Sequence, residues 1–523
     1  MSALRRIAGR AVTEDRLAGW HPALFAAYPV LFLWSQNVDE VPAAHALQPL
    51  LIIVAAALVV TLVLAVVIGD RARAALIVTP VVLGLLMYGH VVDLIPAPGT
   101  IHRLGWAALG GLALLGAWRL GPARLMRIDR ILLGLSALLV VVTLVSIVPS
   151  QLQTGTTAAA PDLSAGRVLA TTTSAPKRDV FLLTFDRYPS DRAISTQFGI
   201  ENDLTPWLRD QGFDVLGDSH ANYIATSLSL STTLNMRTLT DLSAGATSAS
   251  AFRKRIYDSL QNSFVVQQFK ALGYRYIHVG SWWNPTRIDS GADVNYNAAG
   301  ASDFGSVLLK ESAVPLALTA LGITEQTFSK NYQNGRYELE LLPKLGEEPG
   351  PKFVWAHVLL PHPAYVFNPD GSFMSAATAR RLGAKEAWRR QHEYTNNQLR
   401  TIIGGLLALP EERRPIIILQ ADEGHWFNRD QSDDTEDDVS FDWSKATPEQ
   451  LEIKFGILNA WYVPGDVDLA LDPKMTAINT FPTLFDRYFG LDYPRLPDRV
   501  SITKGWNQDE AALDVTDRLP SLK

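Results

Sequence analysis

The chain has 523 residues, of which 47% are hydrophobic and 19% are charged, and its formal net charge at pH 7 is -6. This length exceeds what one compact core normally accommodates, so we expect at least two folding units. The negative net charge argues against a nucleic-acid-binding protein, which normally presents a basic face. The absence of cysteine excludes disulfides, thiolate zinc sites and a cysteine nucleophile.

The first 148 residues predict a transmembrane domain of five α-helices. The predicted spans are 17–35, 50–68, 74–92, 104–118 and 131–148. The second and fifth are uncharged and long enough to cross ~30 Å of hydrocarbon. The third is nearly as apolar, although it contains Pro80 and His90. The first and fourth contain glycine or proline, and we include them because they flank clear spans.

Basic residues decide the predicted orientation, because cytoplasmic loops carry an excess of Arg and Lys. They precede the first span and lie in two alternate loops: Arg5, Arg6, Arg10, Arg71, Arg73, Arg119, Arg124, Arg127 and Arg130. The intervening loops have no Lys or Arg at 36–49 and only Arg103 at 95–103. We therefore expect a multi-pass plasma-membrane protein with a cytoplasmic N-terminus and everything after Val148 outside the cytoplasm.

Residues 149–178 are rich in Ser, Thr, Ala, Gly and Pro, and they predict a loosely packed linker. In residues 179–523, short apolar runs alternate with helical patterns, which predicts an α/β domain with a mainly parallel central sheet. The predicted strands are 180–185, 274–280, 353–360, 415–420 and 455–463, and the clearest helices are 263–273 and 386–409. The acidic stretch 430–438 is expected to be a solvated loop.

Polar residues follow several predicted strands at the points where the strands end: Asp186, His362, Asp422 and Glu423. Ligands of open α/β sheets bind at this edge, so these side chains are expected to converge. The hydroxyl-rich segment 222–236 adds Thr226 near a helix start, where free backbone N–H groups favour an anion. Carboxylates and a hydroxyl can hold a divalent cation, which would activate the hydroxyl and neutralise a phosphate or sulfate under attack.

The order of these pieces resembles the sulfatase-like branch of the alkaline phosphatase superfamily. The resemblance rests on the segments VFLLTFD, NYIATSLSLS, LLPHPAY and IILQADEG. With five predicted spans and a linker, the layout is similar to lipoteichoic acid synthases and lipid A phosphoethanolamine transferases. The resemblance implies that Thr226 is a nucleophile that becomes phosphorylated. It also implies that His362 binds the substrate phosphate or protonates the leaving oxygen. The implied ligands of one divalent metal ion are Asp186, Thr226, Asp422 and Glu423.

One departure from the family pattern concerns the metal site. The family usually has Asp-His-Gly where this chain has Asp422-Glu423-Gly424. A carboxylate in place of an imidazole favours Mg²⁺, Mn²⁺ or Ca²⁺ over Zn²⁺, and it leaves loss of the metal open. His425 is a possible substitute for the missing imidazole. The C/S-x-P-x-R motif of sulfatases does not surround Thr226, which disfavours ordinary sulfate ester hydrolysis.

Several other residues have more than one interpretation. His357 lies within an apolar run and is expected to be a packed, hydrogen-bonded core histidine. Trp282 and Trp283 fit contact with a sugar or the membrane surface as well as a place in the core. Ser227 is the second candidate nucleophile, because Ser and Thr at helix starts commonly act as caps.

The leading hypothesis is a membrane-anchored, metal-dependent transferase that acts through phospho-Thr226. It would move a phosphorylated head group from a phospholipid to a cell-envelope glycan or lipid, so its partners would be membrane lipids and that acceptor. A first alternative is a phosphodiesterase or sulfatase-like ester hydrolase that uses water as the acceptor. A second is a non-catalytic envelope binding module that has lost the metal site, which Glu423 keeps open.

Overall fold

The computed structural model describes residues 17–38, 41, 43–95, 99–154, 167–298, 303–426, 441–465, 467–503 and 512–522. The helices are α1 (His21–Gln36), α2 (Ala43–Ile68), α3 (Arg71–Leu86), α4 (Tyr88–Leu94), α5 (Gly99–Arg119), α6 (Pro122–Thr154), α7 (Asp191–Phe198), α8 (Leu204–Asp210), α9 (Thr226–Asn235), α10 (Leu239–Ser243), α11 (Ala249–Leu260), α12 (Phe264–Ala271), α13 (Asp303–Lys310), α14 (Val314–Ala320), α15 (Glu325–Phe328), α16 (Lys330–Leu345), α17 (Ala376–Leu382), α18 (Ala384–Leu407), α19 (Pro448–Phe455) and α20 (Thr480–Arg487). The strands are β1 (Val180–Phe185), β2 (Asp214–Val215), β3 (Arg275–Val279), β4 (Val294–Tyr296), β5 (Lys352–Val358), β6 (Ile416–Gln420), β7 (Asn459–Tyr462), β8 (Ser501–Ile502) and β9 (Leu513–Asp514). The acidic stretch predicted as a loop, 430–438, lies outside the described residues.

The chain divides into two compact units. The first comprises residues 1–157 and 301–325, and the second comprises residues 158–300 and 326–523. The predicted domains were 1–148 and 179–523, joined by a linker at 149–178. The division therefore differs from the prediction because a segment from the middle of the C-terminal part folds with the N-terminal helices.

The predicted linker at 149–178 is partly structured. Helix α6 continues to Thr154, and residues 155–166 lie outside the described part of the chain. From Arg167 onward the chain contacts the second unit: the Arg167 guanidinium donates hydrogen bonds to two main-chain carbonyls at the end of α9. Leu169 packs against the apolar core of the same unit. Residues 167–178 therefore belong to the fold of the second unit.

The first unit has helices at all five predicted membrane runs, but the predicted number of spans is not supported. Among the described helices, only α2 and residues 122–148 of α6 are long and apolar enough to cross a membrane. Helices α1 and α3 have 16 residues each, which is short for a bilayer of ~30 Å. Helix α5 has 21 residues, but its glycines and basic side chains lower its mean hydropathy.

Helices α2 and α6 are not core helices of a water-soluble bundle. Only 17% of the residues in the apolar window of each helix are buried. On α2, Leu51 is 67% exposed, Val59 58% and Val66 69%. Contiguous exposed apolar surface of this kind is unfavourable in water and favourable in hydrocarbon, so the first unit suits a lipid environment.

The second unit is an α/β domain built on a seven-stranded, mainly parallel sheet, which confirms the predicted fold class for this part. The strand order is β2-β7-β6-β1-β5-β3-β4, and only β7 pairs antiparallel with its neighbours. All five predicted strands are present, whereas β2 and β4 were missed because each has at most three residues.

Strand β1 explains why the central strands are continuously apolar. Phe181, Leu183 and Phe185 join the core on one face of the sheet, and Val180 and Leu182 join the core on the other. Successive strand side chains point to opposite faces, and helices cover both faces of a mainly parallel sheet. Every residue of β1 is therefore buried.

The sheet places the carboxyl ends of three strands side by side. Strand β1 is parallel to β5 on one side and to β6 on the other, with Thr184 in register with His357 of β5 and Gln420 of β6. Asp186 follows β1 directly, and Asp422 lies two residues beyond β6. The topology thus brings two carboxylates and one imidazole to the same edge of the sheet.

The C-terminal segment is attached to α19 through Glu452. The backbone N–H of Ser521 donates to Glu452 Oε1 at 2.8 Å, and His220 Nε2 lies 3.1 Å from Glu452 Oε2. Burial by itself would raise the pKa of Glu452, but the hydrogen bonds from His220 and Ser521 outweigh it and lower the pKa to about 2.

Acid should therefore weaken this attachment. A carboxyl group whose folded pKa lies below its usual 4.5 contributes stability above that pH, and the contribution is lost as the pH falls towards 2. We expect wild-type protein to lose about 1–3 kcal/mol more than Glu452→Gln between pH 5 and pH 2. Thermal unfolding midpoints of both proteins across this range test the expectation. Parallel pH profiles would contradict it.

Candidate active site

Three buried side chains at the carboxyl edge of the sheet form a potential metal-binding group. Asp186, His357 and Asp422 each bring one possible ligand atom, and these atoms lie within 4.8 Å of one another. One carboxylate oxygen of each aspartate and Nε2 of His357 are buried without a hydrogen-bond partner in the described part of the chain. Because buried polar atoms normally have partners, this group has the donor set and the free ligand capacity that a divalent cation requires.

The electrostatics of the aspartate pair point the same way. Burial raises the pKa of Asp186 well above its usual range, and the neighbouring charge of Asp422 raises it further. Burial also raises the pKa of Asp422. Two buried carboxylates in contact repel each other unless a proton or a cation lies with them, so a divalent cation would stabilise both charged forms.

His357 departs from its predicted role as an ordinary core histidine. It is buried and hydrogen-bonded as expected, with Nδ1 2.8 Å from Thr286 Oγ1. However, its other ring nitrogen belongs to the group with Asp186 and Asp422. Burial lowers the pKa of His357 to about 3, so the ring is neutral at pH 7, as a metal ligand must be. Only the register of β5 against β1 could have identified this residue.

Glu423, predicted as a metal ligand, is engaged by two cations instead. Arg187 Nε donates to Oε1 and Lys454 Nζ donates to Oε2, both at 2.8 Å. All three side chains are at most 7% exposed. Glu423 is not in the metal-binding group found among the described residues. Its assignment as a ligand stays a prediction, which this ion-pair network disfavours, while His357 brings an imidazole to the group.

Gly424 explains how the turn after β6 is held. A Cβ atom at this position would lie 2.5 Å from the carbonyl oxygen of Lys454 and 2.6 Å from that of Ile453. The Gly424 N–H donates to the Lys454 carbonyl at 2.9 Å. The glycine therefore allows the turn to pack directly on α19, which brings Lys454 to Glu423.

His425, considered as a substitute ligand, lies elsewhere. Its ring stacks against Trp388, with centroids 5.9 Å apart, and Tyr365 Oη is 3.5 Å from its Nε2. It is not a member of the metal-binding group identified within the described ranges.

Thr226 is the hydroxyl residue of its segment that faces the acidic group. It is the first residue of α9, and its hydroxyl interacts with the Asp422 carboxyl, which opposes the rise that burial causes in the pKa of Asp422. Three later hydroxyls are used differently, because Ser229, Ser231 and Thr232 donate to main-chain carbonyls. Ser227, the second candidate, follows Thr226 and therefore points about 100° away around the helix. The structure thus places Asp186 and Asp422 in one group and Thr226 beside Asp422, while their roles as ligands and nucleophile stay predictions.

His362 lies in the loop after β5, beside the indole of Trp282 at a ring distance of 6.1 Å. Its Nδ1 contacts the main-chain carbonyl oxygen of Pro363, and this contact requires a proton on Nδ1. Burial lowers the pKa of His362 well below its usual range, and the charge of Arg187 lowers it further. The ring is therefore neutral at pH 7 with a lone pair on Nε2, which suits a proton acceptor better than a proton donor.

The two tryptophans that followed β3 in the sequence have separate surroundings. Trp283 packs on the apolar core and lies edge-on to His357, with centroids 6.1 Å apart. Trp282 lies beside His362 and carries Lys330 Nζ 4.2 Å from its ring centroid. Trp283 therefore belongs to the core, and Trp282 borders the site.

The hydrogen bond that His357 Nδ1 donates to Thr286 Oγ1 is expected to support metal binding, because a proton on Nδ1 leaves the Nε2 lone pair available to the cation. Thr286 Oγ1 also lies 2.8 Å from Ser281 Oγ, so this hydroxyl is fixed and in turn orients the imidazole. Thr286→Val removes the hydroxyl and keeps the side-chain shape, and we expect Mn²⁺ affinity to fall by about 10–100-fold. Calorimetric titration of purified protein measures this, with Thr286→Ser as the matched control that retains affinity. Equal affinity in Thr286→Val would show that His357 does not depend on this contact.

Comparison with known proteins gives matches only among solved structures. No protein-family model and no curated protein sequence matches the chain. The C-terminal periplasmic domain of EcEptC from Escherichia coli, in complex with zinc, matches with a TM-score of 0.44 and 13% identity, over 67% of this chain and 96% of that one. The integral membrane protein lipooligosaccharide phosphoethanolamine transferase A from Neisseria meningitidis matches with a TM-score of 0.42 and 12% identity, over 89% of this chain and 94% of that one.

A phosphonate monoester hydrolase of Agrobacterium radiobacter matches with a TM-score of 0.38 and 13% identity, over 62% of this chain and 79% of that one. Other matches include a 2-O GAG sulfatase. The matched structures are phosphoethanolamine transferases, a phosphonate hydrolase and sulfatases. Each of these matches has a sequence identity of 13% or less.

Proposed function

We propose that the protein is a membrane-anchored, metal-dependent transferase that moves a phosphorylated head group from a phospholipid to a cell-envelope glycan or lipid. The observation that carries the proposal is the position of Thr226. Its hydroxyl lies at a helix start and interacts with a carboxyl of a buried group that could hold a divalent cation. These features support a site in which Thr226 is the nucleophile, the buried group binds the cation and the helix start binds the phosphate.

Asp186, His357 and Asp422 would hold the cation, with Thr226 at its side. When bound, the cation supplies positive charge that lowers the pKa of the Thr226 hydroxyl and offsets the charge of the phosphate. Leu228 and Ser229 donate their N–H groups to the Ala225 carbonyl, so the N–H groups of Thr226 and Ser227 would be the ones that face the phosphate oxygens. The substrate would therefore be a phosphate ester whose phosphorus lies in front of Thr226.

In the first step, Thr226 Oγ1 bonds to phosphorus as the bond between phosphorus and the leaving alcohol oxygen breaks. Asp422, whose carboxyl interacts with the hydroxyl, accepts its proton, and the leaving oxygen takes a proton from solvent. In the second step, a hydroxyl of the acceptor attacks phosphorus and His362 Nε2 accepts the hydroxyl proton. The bond between phosphorus and Thr226 Oγ1 breaks, Asp422 returns its proton to Thr226 Oγ1, and His362 releases its proton to solvent. The neutral state of His362 at pH 7 supports this assignment.

The proposed membrane anchor includes more helices than the two that are apolar enough by themselves. Helix α1 packs between α2, α3 and α6, so these helices would enter the bilayer as one bundle. Five crossings, with the basic loops in the cytoplasm, would put the second unit outside the cytoplasm, where phospholipid donors of the outer leaflet are available.

Intact-mass analysis after incubation with phosphatidylethanolamine and phosphatidylglycerol vesicles and Mn²⁺ tests the proposed function. We expect a phosphate-containing mass increase that maps to Thr226 and is absent from Thr226→Ala. Release of the free head group into water without an added acceptor would favour the hydrolase. Neither bound metal nor a mass increase with Mn²⁺, Mg²⁺, Ca²⁺ or Zn²⁺ would favour the non-catalytic binding module.

A further inference from the structure

The segment 301–325 leaves the α/β unit and folds with the N-terminal helices. On α13, Phe304 and Leu308 are 3% and 7% exposed and join an apolar cluster with residues of α1, α2 and α6. These partners include Trp34 near the end of α1, Ala46 near the start of α2 and Ile147 near the end of the apolar part of α6. The segment therefore packs at the end of the helices from which the chain continues to the second unit.

Backbone contacts join this segment to the end of α3 and the start of α4. The N–H of Gly89 donates to the Glu311 carbonyl at 2.8 Å, and the N–H of Ala313 donates to the Leu85 carbonyl at 2.7 Å. His90 Nδ1 lies 3.6 Å from Glu311 Oε2. A Cβ atom on Gly89 would be 2.8 Å from Glu311 Cα, so glycine permits the close approach. His90, an ionisable residue in a predicted membrane span, therefore has a polar partner in Glu311.

The part of the segment that follows these contacts is apolar and uncovered. Residues 312–324 contain no charged residue, and none of the residues of α14 is buried. Leu316 is 46% exposed and Leu321 77%. A water-soluble loop that exposes leucines over an uncharged stretch of this length would be unfavourable in water, so this surface needs an apolar partner.

We propose that residues 312–324 lie in the interfacial region of the bilayer, in contact with lipid, on the side where α6 ends. This rests on the proposal that the first unit is embedded in a membrane. The lipid is the expected partner because the segment packs through α13 on α1, α2 and α6, and α2 and α6 expose apolar faces of their own that suit a bilayer. The interface is favoured over the bilayer centre, because an uncharged stretch of this length is too short to cross ~30 Å of hydrocarbon and is typical of an interfacial segment.

The first unit would then have a further membrane contact, made by residues far along the chain from the N-terminal spans. The segment is preceded and followed in the sequence by residues of the α/β unit. Its contact with lipid would therefore attach the chain to the bilayer at a second position along the sequence. A second copy of the protein is the competing partner for the same surface, and the test separates the two.

Site-specific fluorescence tests this proposal. Because the chain has no cysteine, a single introduced cysteine can be labelled without replacing any native residue. Leu321→Cys, Val59→Cys on α2 and Thr401→Cys on an exposed face of α18 would each carry an environment-sensitive nitrobenzoxadiazole label. The full-length protein is reconstituted in phosphatidylethanolamine and phosphatidylglycerol vesicles with nitroxide-labelled lipids. Quenching by iodide, which stays in the aqueous phase, measures the exposure of each label to water.

We expect lipid nitroxides to quench the label at Leu321→Cys several-fold more than the label at Thr401→Cys. Nitroxides attached near the lipid head group should quench the label at Leu321→Cys more strongly than nitroxides deep in the acyl chains do. The reverse order is expected for the label at Val59→Cys. Lipid quenching at Val59→Cys without any at Leu321→Cys would overturn this inference alone. Protection of Leu321→Cys from both iodide and lipid would assign the surface to a second copy. No lipid quenching at Val59→Cys would instead overturn the membrane proposal itself.

Discussion

Thr226→Ala should reduce turnover of a phosphodiester by on the order of 10⁴-fold or more, since removal of a covalent nucleophile eliminates the pathway and leaves only binding and electrostatic effects. The expectation rests on the interaction between the Thr226 hydroxyl and the Asp422 carboxyl and on the place of Thr226 at the start of α9. Bis(4-nitrophenyl) phosphate with saturating Mn²⁺ provides the assay. Thr226→Ser should keep part of the activity because it retains a hydroxyl at the same position.

A matched control comes from the same helix. Thr233 is equally buried, but it lies seven residues along α9 and therefore about 10 Å further along the axis. Thr233→Ala should keep activity close to wild type, which separates loss of a nucleophile from disturbance of the helix. Full activity in Thr226→Ala together with loss in Ser227→Ala would transfer the role to Ser227. Unchanged activity in both would exclude this segment as the source of the nucleophile.

Glu423→Gln should destabilise the fold strongly while leaving the metal affinity nearly unchanged. The carboxylate lies between Arg187 and Lys454 in a fully buried network. Removing one partner of a buried ion pair leaves uncompensated charge and costs about 3–5 kcal/mol. We expect a lower midpoint of thermal unfolding and an Mn²⁺ affinity within about tenfold of wild type, because His357 and the two aspartates form the group without Glu423.

Two further variants make this prediction decisive. His357→Ala should weaken Mn²⁺ binding far more than Glu423→Gln does, although it leaves the ion-pair network intact. The double variant Glu423→Gln with Lys454→Met should recover part of the lost stability, because it removes one of the unpaired cations. A large loss of Mn²⁺ affinity in Glu423→Gln without loss of stability would restore Glu423 as a metal ligand.

The sequence by itself determined the five longest strands, their mainly parallel arrangement and the two clearest membrane helices. These features depend on local patterns, because a continuous apolar run between helical patterns specifies a strand buried on both faces. Asp186 and Asp422 were predictable for the same reason, since each follows such a run. Thr226 was predictable because a hydroxyl cluster at a helix start is visible in the sequence.

Only the tertiary structure decided the composition of the site. His357 joins the acidic group because β5 lies beside β1 in one register, and Glu423 is drawn to Arg187 and Lys454 because Gly424 lets the turn pack on α19. Residues 301–325 pack with the N-terminal helices although they lie far along the chain. The physical reason is common to all three. Hydrophobic periodicity specifies each element locally, whereas the partner of a side chain depends on elements that are distant in sequence and meet only after folding.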